Sequence, residues 1–257
     1  ILSIPATLFL SQFMLKLSIM NNEKPSFAKG FGRAKENIII SLGGSLVAPN
    51  EIDVSFLKVF KKIVLKQLNN RRFFIFVGGG KVCRNYQKAM LDFGSDNKER
   101  DLIGIDVSRL NARVVKQVFG ELSYSEIITN PTKSINTKKD IIVAGGWKPG
   151  WSTDYCAVTL AKNMGIKTII NLTNVDYVYN KNPLKYSSAK AFKEIDWKSF
   201  KKIVGNKWSP GLSMPFDPRA SKEAEVLKIK VIVINGRKIE RLESFLNNKQ
   251  FIGTIIK

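Results

Sequence analysis

A three-layer αβα sandwich built on a mostly parallel sheet is the architecture that this 257-residue sequence predicts. Three observations lead to it. Short apolar runs of strand length alternate with longer segments whose apolar residues recur at helical spacing, the pattern of strands joined by crossover helices. The first run is apolar at successive positions, as in a strand buried on both faces. Three runs end in glycine clusters, Gly43-Gly44, Gly78-Gly79-Gly80 and Gly145-Gly146, at the carboxyl edge where such sheets bind ligands.

Asn37 to Leu42 (NIIISL) is the first strand. Asp53 to Leu68 then places Phe56, Leu57, Phe60, Ile63, Val64 and Leu68 on one helical face, with Asp53 as a candidate N-cap. Phe73 to Val77 supplies a second strand, followed by a helix from Lys81 and another from about Asp101 to Phe119. The alternation continues with a strand at Ile141 to Ala144, a helix at Asp154 to Met164, and a strand at Lys167 to Asn171. A polar, hairpin-like stretch runs to Ala189. The remainder predicts a helix from Asp217 to Leu227, a strand at Lys230 to Ile234, a short helix near Leu242 and a last strand near Ile255. No internal repeat or low-complexity linker interrupts the series.

Composition narrows the chemistry. Hydrophobic residues make up 44% of the chain, and no long apolar run follows residue 20, so a soluble globular protein is expected. Cys83 and Cys156 form no CxxC pair and histidine is absent, which disfavours structural zinc and disulfides and points to a reducing, cytoplasmic location. The missing imidazole also removes Ser-His and Cys-His nucleophilic mechanisms. A formal charge of +21 implies attraction for polyanions, nucleotides and nucleic acids alike. The cations are dispersed as pairs such as Lys61-Lys62 and Lys201-Lys202, which fits a solvated basic surface as readily as a binding face.

Residues 1 to 35 differ from the rest. Residues 1 to 15 are uncharged and include an apolar stretch, but lack the basic flank and cleavage site of a signal peptide and are too short to span a bilayer. They are expected to be an extension outside the domain, either disordered or a start placed upstream of the true one at Met20. The domain itself is expected over 36–257.

The glycine clusters let backbone N–H groups approach an anion, and the helices that follow offer positive N-termini, so phosphate is the natural ligand. Common fingerprints do not fit. A Walker A loop would need Gly where Ile75 stands and Ser or Thr where Val82 stands, and the dinucleotide motif lacks its third glycine because Cys83 occupies that place.

The strings IIISLGGSLVAPNEID, FVGGGKVCRNY, DLIGIDVSRLNA, AGGWKPGWSTD, LTNVDYVYNKNP and PFDPRASKEA, in this order and spacing, resemble the amino-acid-kinase family, most closely its archaeal-type UMP kinases. The likeness covers roughly Asn37 to Ile256 and implies a carbamate-kinase-like fold. It implies transfer of the ATP γ-phosphoryl to UMP, giving UDP and ADP in pyrimidine nucleotide biosynthesis, with Mg²⁺ carried on the ATP phosphates. Residues 36–165 would mainly bind UMP and 166–257 mainly ATP. Gly43, Gly44, Gly80 and Arg84 would surround the ATP phosphates, with Gly79 against the UMP phosphate. Asp101 and the loop Trp147, Lys148, Pro149, Gly150, Trp151, Ser152 and Thr153 would hold UMP, Thr153 taking phosphate at a helix start. Asp154 matches the catalytic aspartate that orients cationic groups, and Asp217 a second acidic position; Arg84 is a further catalytic candidate. Thr173, Tyr179 and Asn182 would border the adenosine. The resemblance also implies a homo-oligomer, typically a hexamer, and no membrane partner.

Each aspartate has a plainer reading, since Asp101, Asp154 and Asp217 all stand where a helix could begin and could be caps. Tyr179 and Trp151 could be packing residues. The sequence also departs from the family: Ser41 stands where many members carry a lysine, Tyr177 replaces a glycine, and Asn182 an acidic residue. Lys81, Arg84 and Lys148 are the candidates for the missing cation. Acetylglutamate, aspartate, carbamate and isopentenyl phosphate kinases share the fold, and a nucleotide-binding regulator without turnover would follow if the lost lysine is decisive. A nucleic-acid binder ranks last, because no recognition module is evident.

Overall fold

The structure is a computed structural model and describes residues 35–257 apart from 184, 208, 212 and 213. The expectations for residues 1 to 35 fall outside it except at Lys35, whose ammonium pairs with Asp140 at 2.5 Å.

The chain alternates as expected. Strand β1 (Glu36–Leu42) leads through a one-turn helix α1 (Gly44–Val47) to α2 (Val54–Lys66), then β2 (Arg71–Val77), α3 (Gly80–Asp92), α4 (Asn97–Phe119) and β3 (Ile141–Ala144). Helix α5 (Thr153–Met164), β4 (Thr168–Thr173), and the short strands β5 (Val178–Tyr179), β6 (Ala191–Phe192) and β7 (Glu194–Ile195) follow. Helices α6 (Trp197–Val204) and α7 (Pro218–Val226), β8 (Lys230–Asn235), α8 (Glu240–Leu246) and β9 (Thr254–Ile256) complete it. Seven strands pair in the order β3-β2-β1-β4-β8-β9-β7, all parallel to their neighbours except the antiparallel β8–β9 step. The hairpin-like stretch is an antiparallel ribbon of β5 and β6.

Side-chain alternation explains the layers. On β1 and β2, Ile39, Phe74 and Phe76 face a core shared with Val158 and Leu160 of α5, Phe200 of α6 and Ala220 of α7. Their neighbours Ile38, Ile40, Leu42, Phe73, Ile75 and Val77 face the opposite core, with Phe60 of α2, Val115 of α4 and Leu242 of α8. Because strand residues alternate faces, Ser41 shares the side of Ile39 and points toward the α5 layer.

Some helix starts differ from expectation. Asp53 caps α2 as predicted, accepting from the Phe56 amide at 2.9 Å. Helix α4 begins earlier than Asp101, because Asp96 caps it through the Glu99 amide at 2.8 Å. Helix α5 is capped by Ser152 through the Tyr155 amide at 3.1 Å. The cap reading is therefore wrong for Asp101 and Asp154. It is right for Asp217, which accepts from Ala220 N at 2.6 Å.

The chain runs from β1 outward to β2 and β3, then returns past β1 to β4. That reversal opens a crevice at the carboxyl ends of β1 and β4, the place where open α/β sheets bind ligands.

Candidate active site

Two glycine loops meet backbone to backbone at this edge. A Cβ on Gly44 would run into the carbonyl of Gly78 and the amide of Gly80, and one on Gly80 would run into the main chain of Gly44. Gly80 also sits at φ +70°, a conformation that side chains strain to adopt. Both positions therefore need glycine for close approach. The loops are held from α4: Asn111 Nδ2 donates to the carbonyls of Gly78 (2.9 Å) and Gly79 (3.2 Å), and the Ser108 hydroxyl donates to Val77 O (2.7 Å).

The third cluster behaves differently from the sequence expectation. Gly145 N donates to Ile128 O at 3.0 Å and Gly146 N to Ser108 Oγ at 2.8 Å, so neither amide is left for an anion. These glycines instead give α4 room, since a Cβ on either would press on Arg109 or Ile105 at 3.1 Å. The amides of Gly44, Ser45, Gly79 and Gly80, by contrast, take no backbone acceptor among the described residues.

One pocket gathers much of the predicted acceptor site. Gly79, Gly80 and Arg84 from α3 and its cap face Asp101 of α4 and Trp151, Ser152 and Thr153 before and at the start of α5. Asp101 is buried in the second turn of α4, and its carboxylate accepts from the Gly150 amide, tying the acceptor loop to the helix. Burial pushes its carboxyl up, with the Gly150 amide and Arg219 pulling the other way. Within the loop, Trp147 and Trp151 meet edge to face at 4.5 Å between centroids, and the Lys148 ammonium lies over both rings at 4.1 and 4.9 Å. Pro149 and Gly150 turn the loop, Gly150 at φ +83°.

Asp154 lies one residue beyond Thr153, enclosed by protein although part of its surface is open. The Ser41 hydroxyl donates to its Oδ1 at 2.6 Å, and the Asp217 amide donates to its Oδ2 at 3.1 Å. Its pKa is raised to about 6, chiefly by burial and also by the nearby Asp217 charge, against the lowering effect of the two hydrogen bonds. Asp217 is itself buried and its carboxyl is pushed up by desolvation, with the Ala220 amide as the chief opposing influence. Its Oδ2 is buried with no hydrogen bond of good geometry among the described residues, although the Ser152 hydroxyl lies near enough to the carboxylate to lower its pKa.

Of the three candidate cations, Arg84 alone lines the pocket. Lys81 donates to Asn50 at 2.7 Å and Lys148 stands on the tryptophans. Two arginines escaped the sequence reading. Arg219 donates to Gly150 O, packs over Tyr155 and acts electrostatically on both Asp101 and Asp217. Arg109 donates to Gly146 O at 3.0 Å and Trp147 O at 2.9 Å. Both lie inside the family-like strings, but nothing in their spacing announces these partners.

Gly43 of the ATP-phosphate set and the adenosine candidates Thr173, Tyr179 and Asn182 do not line this pocket. Gly43 and Thr173 close the ends of β1 and β4, where Gly43 N donates to Leu172 O at 2.9 Å. Tyr179 lies on β5 with its ring edge to face with Tyr177 at 6.3 Å, and Asn182 is exposed in the following turn, its carbonyl accepting from Lys185 and Tyr186.

The model of the amino acid kinase family matches residues 36–235. The uridylate kinase of Methanospirillum hungatei is 33% identical over 222 residues, 85% of this chain and 94% of that protein. That of Methanosarcina acetivorans is 35% identical over 205 residues, 78% and 87% of the two chains. Among solved structures, the uridylate kinase from Archaeoglobus fulgidus has a TM-score of 0.73 at 30% identity, covering 86% of this chain and 99% of that one. UMP kinase from Bacillus anthracis, at 20% identity and a TM-score of 0.69 over 88% and 97% of the chains, shares the fold. Matched over most of its length by the family model and by relatives along nearly all of theirs, the chain belongs to the amino acid kinase family.

Proposed function

We propose that the protein is a UMP kinase: a phosphate oxygen of UMP attacks the γ-phosphorus of ATP, the bond to the β,γ-bridging oxygen breaks, and UDP and ADP leave. The observation that carries this reading is the pocket in which Gly79, Arg84, Asp101, Trp151 and Thr153 converge, one residue from Asp154. UMP would lie mainly on 36–165 and ATP mainly on 166–257, with Gly43, Gly44 and Gly80 of the first part at the ATP phosphates and Thr173, Tyr179 and Asn182 around the rest of ATP.

The attacking oxygen is already anionic, so no general base has to take a proton, and a histidine-free chain suffices. The work left to the protein is alignment and charge neutralisation. The amides of Gly44, Ser45, Gly79 and Gly80, which take no backbone acceptor among the described residues, would face the phosphates, Arg84 adds a cation, and Arg219 and Arg109 hold the acceptor loop in shape. The enclosed pair Asp154 and Asp217, the latter with an Oδ2 that has no hydrogen bond of good geometry among the described residues, fits a cation nearby, so these carboxylates are the residues that would face Mg²⁺ on the ATP phosphates. Held there, Mg²⁺ would supply charge neutralisation at the transferred group.

The test is ADP release from Mg-ATP with UMP, CMP, AMP, acetylglutamate, aspartate, carbamate and isopentenyl phosphate offered singly. UMP-dependent release is expected; release with a carboxylate or carbamate instead would overturn the acceptor assignment. Ser41 favours one second reading. Where a lysine would stand, a neutral hydroxyl holds Asp154, and a nucleotide-binding regulator would bind UMP without releasing ADP. A homo-oligomer, hexameric by resemblance, and a place in pyrimidine nucleotide synthesis belong to the same proposal. No helix among the described residues is long and apolar enough to cross a membrane.

A further inference from the structure

Among the described residues, Gln87, which lines the acceptor pocket, carries an unmet hydrogen-bond acceptor. It lies on α3, is 4% exposed, and lines the same pocket as Arg84 and Asp101. Its Nε2 donates to Arg100 O at 3.0 Å, and Arg100 Nε returns a bond to Gln87 O at 3.2 Å. A flipped amide would set Oε1 against the Arg100 carbonyl, so the network fixes the orientation. Among the described residues Oε1 is then left buried and without a partner, beside Gly211. A side-chain carbonyl held this way is costly unless a ligand brings a donor to it.

Position along the helix says which part of a ligand that is. Gln87 follows Gly80 by seven residues, which at about 1.5 Å per residue sets it roughly 10 Å along α3 from the phosphate-facing end. That is the reach of a nucleoside, and a carbonyl oxygen would in any case repel phosphate. Asp101, a second acceptor, lines the same pocket and directly follows Arg100, whose carbonyl Gln87 holds. Two neighbouring acceptors suit the two adjacent donors of a ribose diol. They suit uracil poorly, because its single imide N–H is flanked by carbonyls that a carboxylate repels.

We propose that Gln87 is a specificity-determining residue whose Oε1 accepts a hydrogen bond from a ribose hydroxyl of the acceptor nucleotide. The inference rests on the UMP kinase reading. It makes the enzyme select ribonucleotide over deoxyribonucleotide acceptors by a contact that no glycine loop or catalytic aspartate supplies.

The experiment compares kcat/KM for UMP, 2′-deoxy-UMP, 3′-deoxy-UMP and CMP in the full-length wild type, Gln87→Leu and Gln87→Met, with circular dichroism and thermal melts checking that each variant folds. The wild type is expected to prefer UMP at least tenfold over one of the deoxy acceptors. Both variants should lower kcat/KM for UMP about tenfold, mostly through KM, and shrink the ribose preference to within threefold while leaving the UMP to CMP ratio unchanged. Should Gln87→Leu fail to fold, Gln87→Met, an unbranched side chain of similar length, carries the comparison; should both fail, calorimetric binding of UMP and the deoxy nucleotides to the wild type decides it, equal affinities overturning the proposal. A ribose preference that persists in the folded variants, or a change confined to the UMP to CMP ratio, would overturn it while leaving the kinase reading intact. A wild type that neither binds nor phosphorylates UMP would overturn both.

Discussion

Asp154 is an enclosed carboxylate whose two partners, the Ser41 hydroxyl and the Asp217 amide, are both uncharged. Its pKa of about 6 against an ordinary 3.8 means that the folded protein holds this proton more tightly than the unfolded chain does. The linkage sign follows: the group costs no stability while protonated below about pH 4, and the cost grows as pH rises toward 6 and is complete above it. Discounted for its partial exposure, the cost is about 1–3 kcal/mol. Urea melts should therefore show the wild type gaining stability relative to Asp154→Asn as the pH falls from 7 to 5; a constant difference would mean that the carboxylate titrates normally. The same substitution should cut kcat by about 10²-fold or more, as loss of a preorganised charge at a transferring group does, with circular dichroism unchanged. Unchanged turnover would remove Asp154 from the chemistry. Asp154, Asp101 and Arg84 could be singled out as candidates from the sequence because each lies in a motif with characteristic neighbours. The Ser41 contact could not, because it joins residues 113 apart and depends on strand parity. Arg109, Arg219 and Gln87 were missed for a similar reason: their partners are main-chain carbonyls on other elements, and a carbonyl leaves no trace in residue type.

At the scale of elements, the site depends on how closely three loops can approach α4 and one another. Strand and helix order was readable because apolar runs and helical periodicity record burial directly, and Asp53 announced the start of α2. Helix α6 lay in a stretch without a sequence assignment, yet Trp197, Phe200 and Val204 bury one face of it behind the Asp196 cap. The roles of the glycines were only partly readable, since residue type does not tell an anion cradle from a packing notch, and Gly145-Gly146 proved to be the latter. Gly44→Ala is expected to cost about 1–3 kcal/mol by forcing the two glycine loops apart, and to abolish nucleotide binding along with it. Chemical denaturation and calorimetric titration with ATP measure the two effects, and a stable variant that binds normally would show that the backbone contact is dispensable. Arg109→Met tests the third loop. Losing hydrogen bonds from a charged donor to Gly146 and Trp147 should raise KM for the acceptor about tenfold, the effect of roughly 1.4 kcal/mol, while KM for ATP stays within about twofold. Equal rises in both would assign Arg109 to the fold as a whole.

For the whole molecule, charge decides how substrates arrive. With 42 basic and 21 acidic side chains, pairing every carboxylate would still leave 21 cations unpaired, so ion pairs such as Lys162–Glu223 and Lys201–Glu225 cannot neutralise the surface. Such a field attracts small anions over a distance set by the Debye length, about 10 Å at 0.1 M salt and about 3 Å at 1 M. Both substrates of the proposed reaction are polyanions, and steering of this kind raises encounter rates by roughly 10 to 10³-fold at low ionic strength. The step that transfers the phosphoryl group takes place between fixed groups and is screened much less. Raising KCl from about 25 to 500 mM should therefore lower kcat/KM for UMP about tenfold while changing kcat by less than about twofold, measured by steady-state ADP release at constant free Mg²⁺. A duplex DNA competitor separates this from a nucleic-acid role. Electrostatic attraction alone predicts weak inhibition that vanishes by about 200 mM salt, since non-specific binding falls steeply with salt. Inhibition that survived that concentration would mean that the basic surface is built for nucleic acid, and the dispersed lysine pairs would then be its contacts.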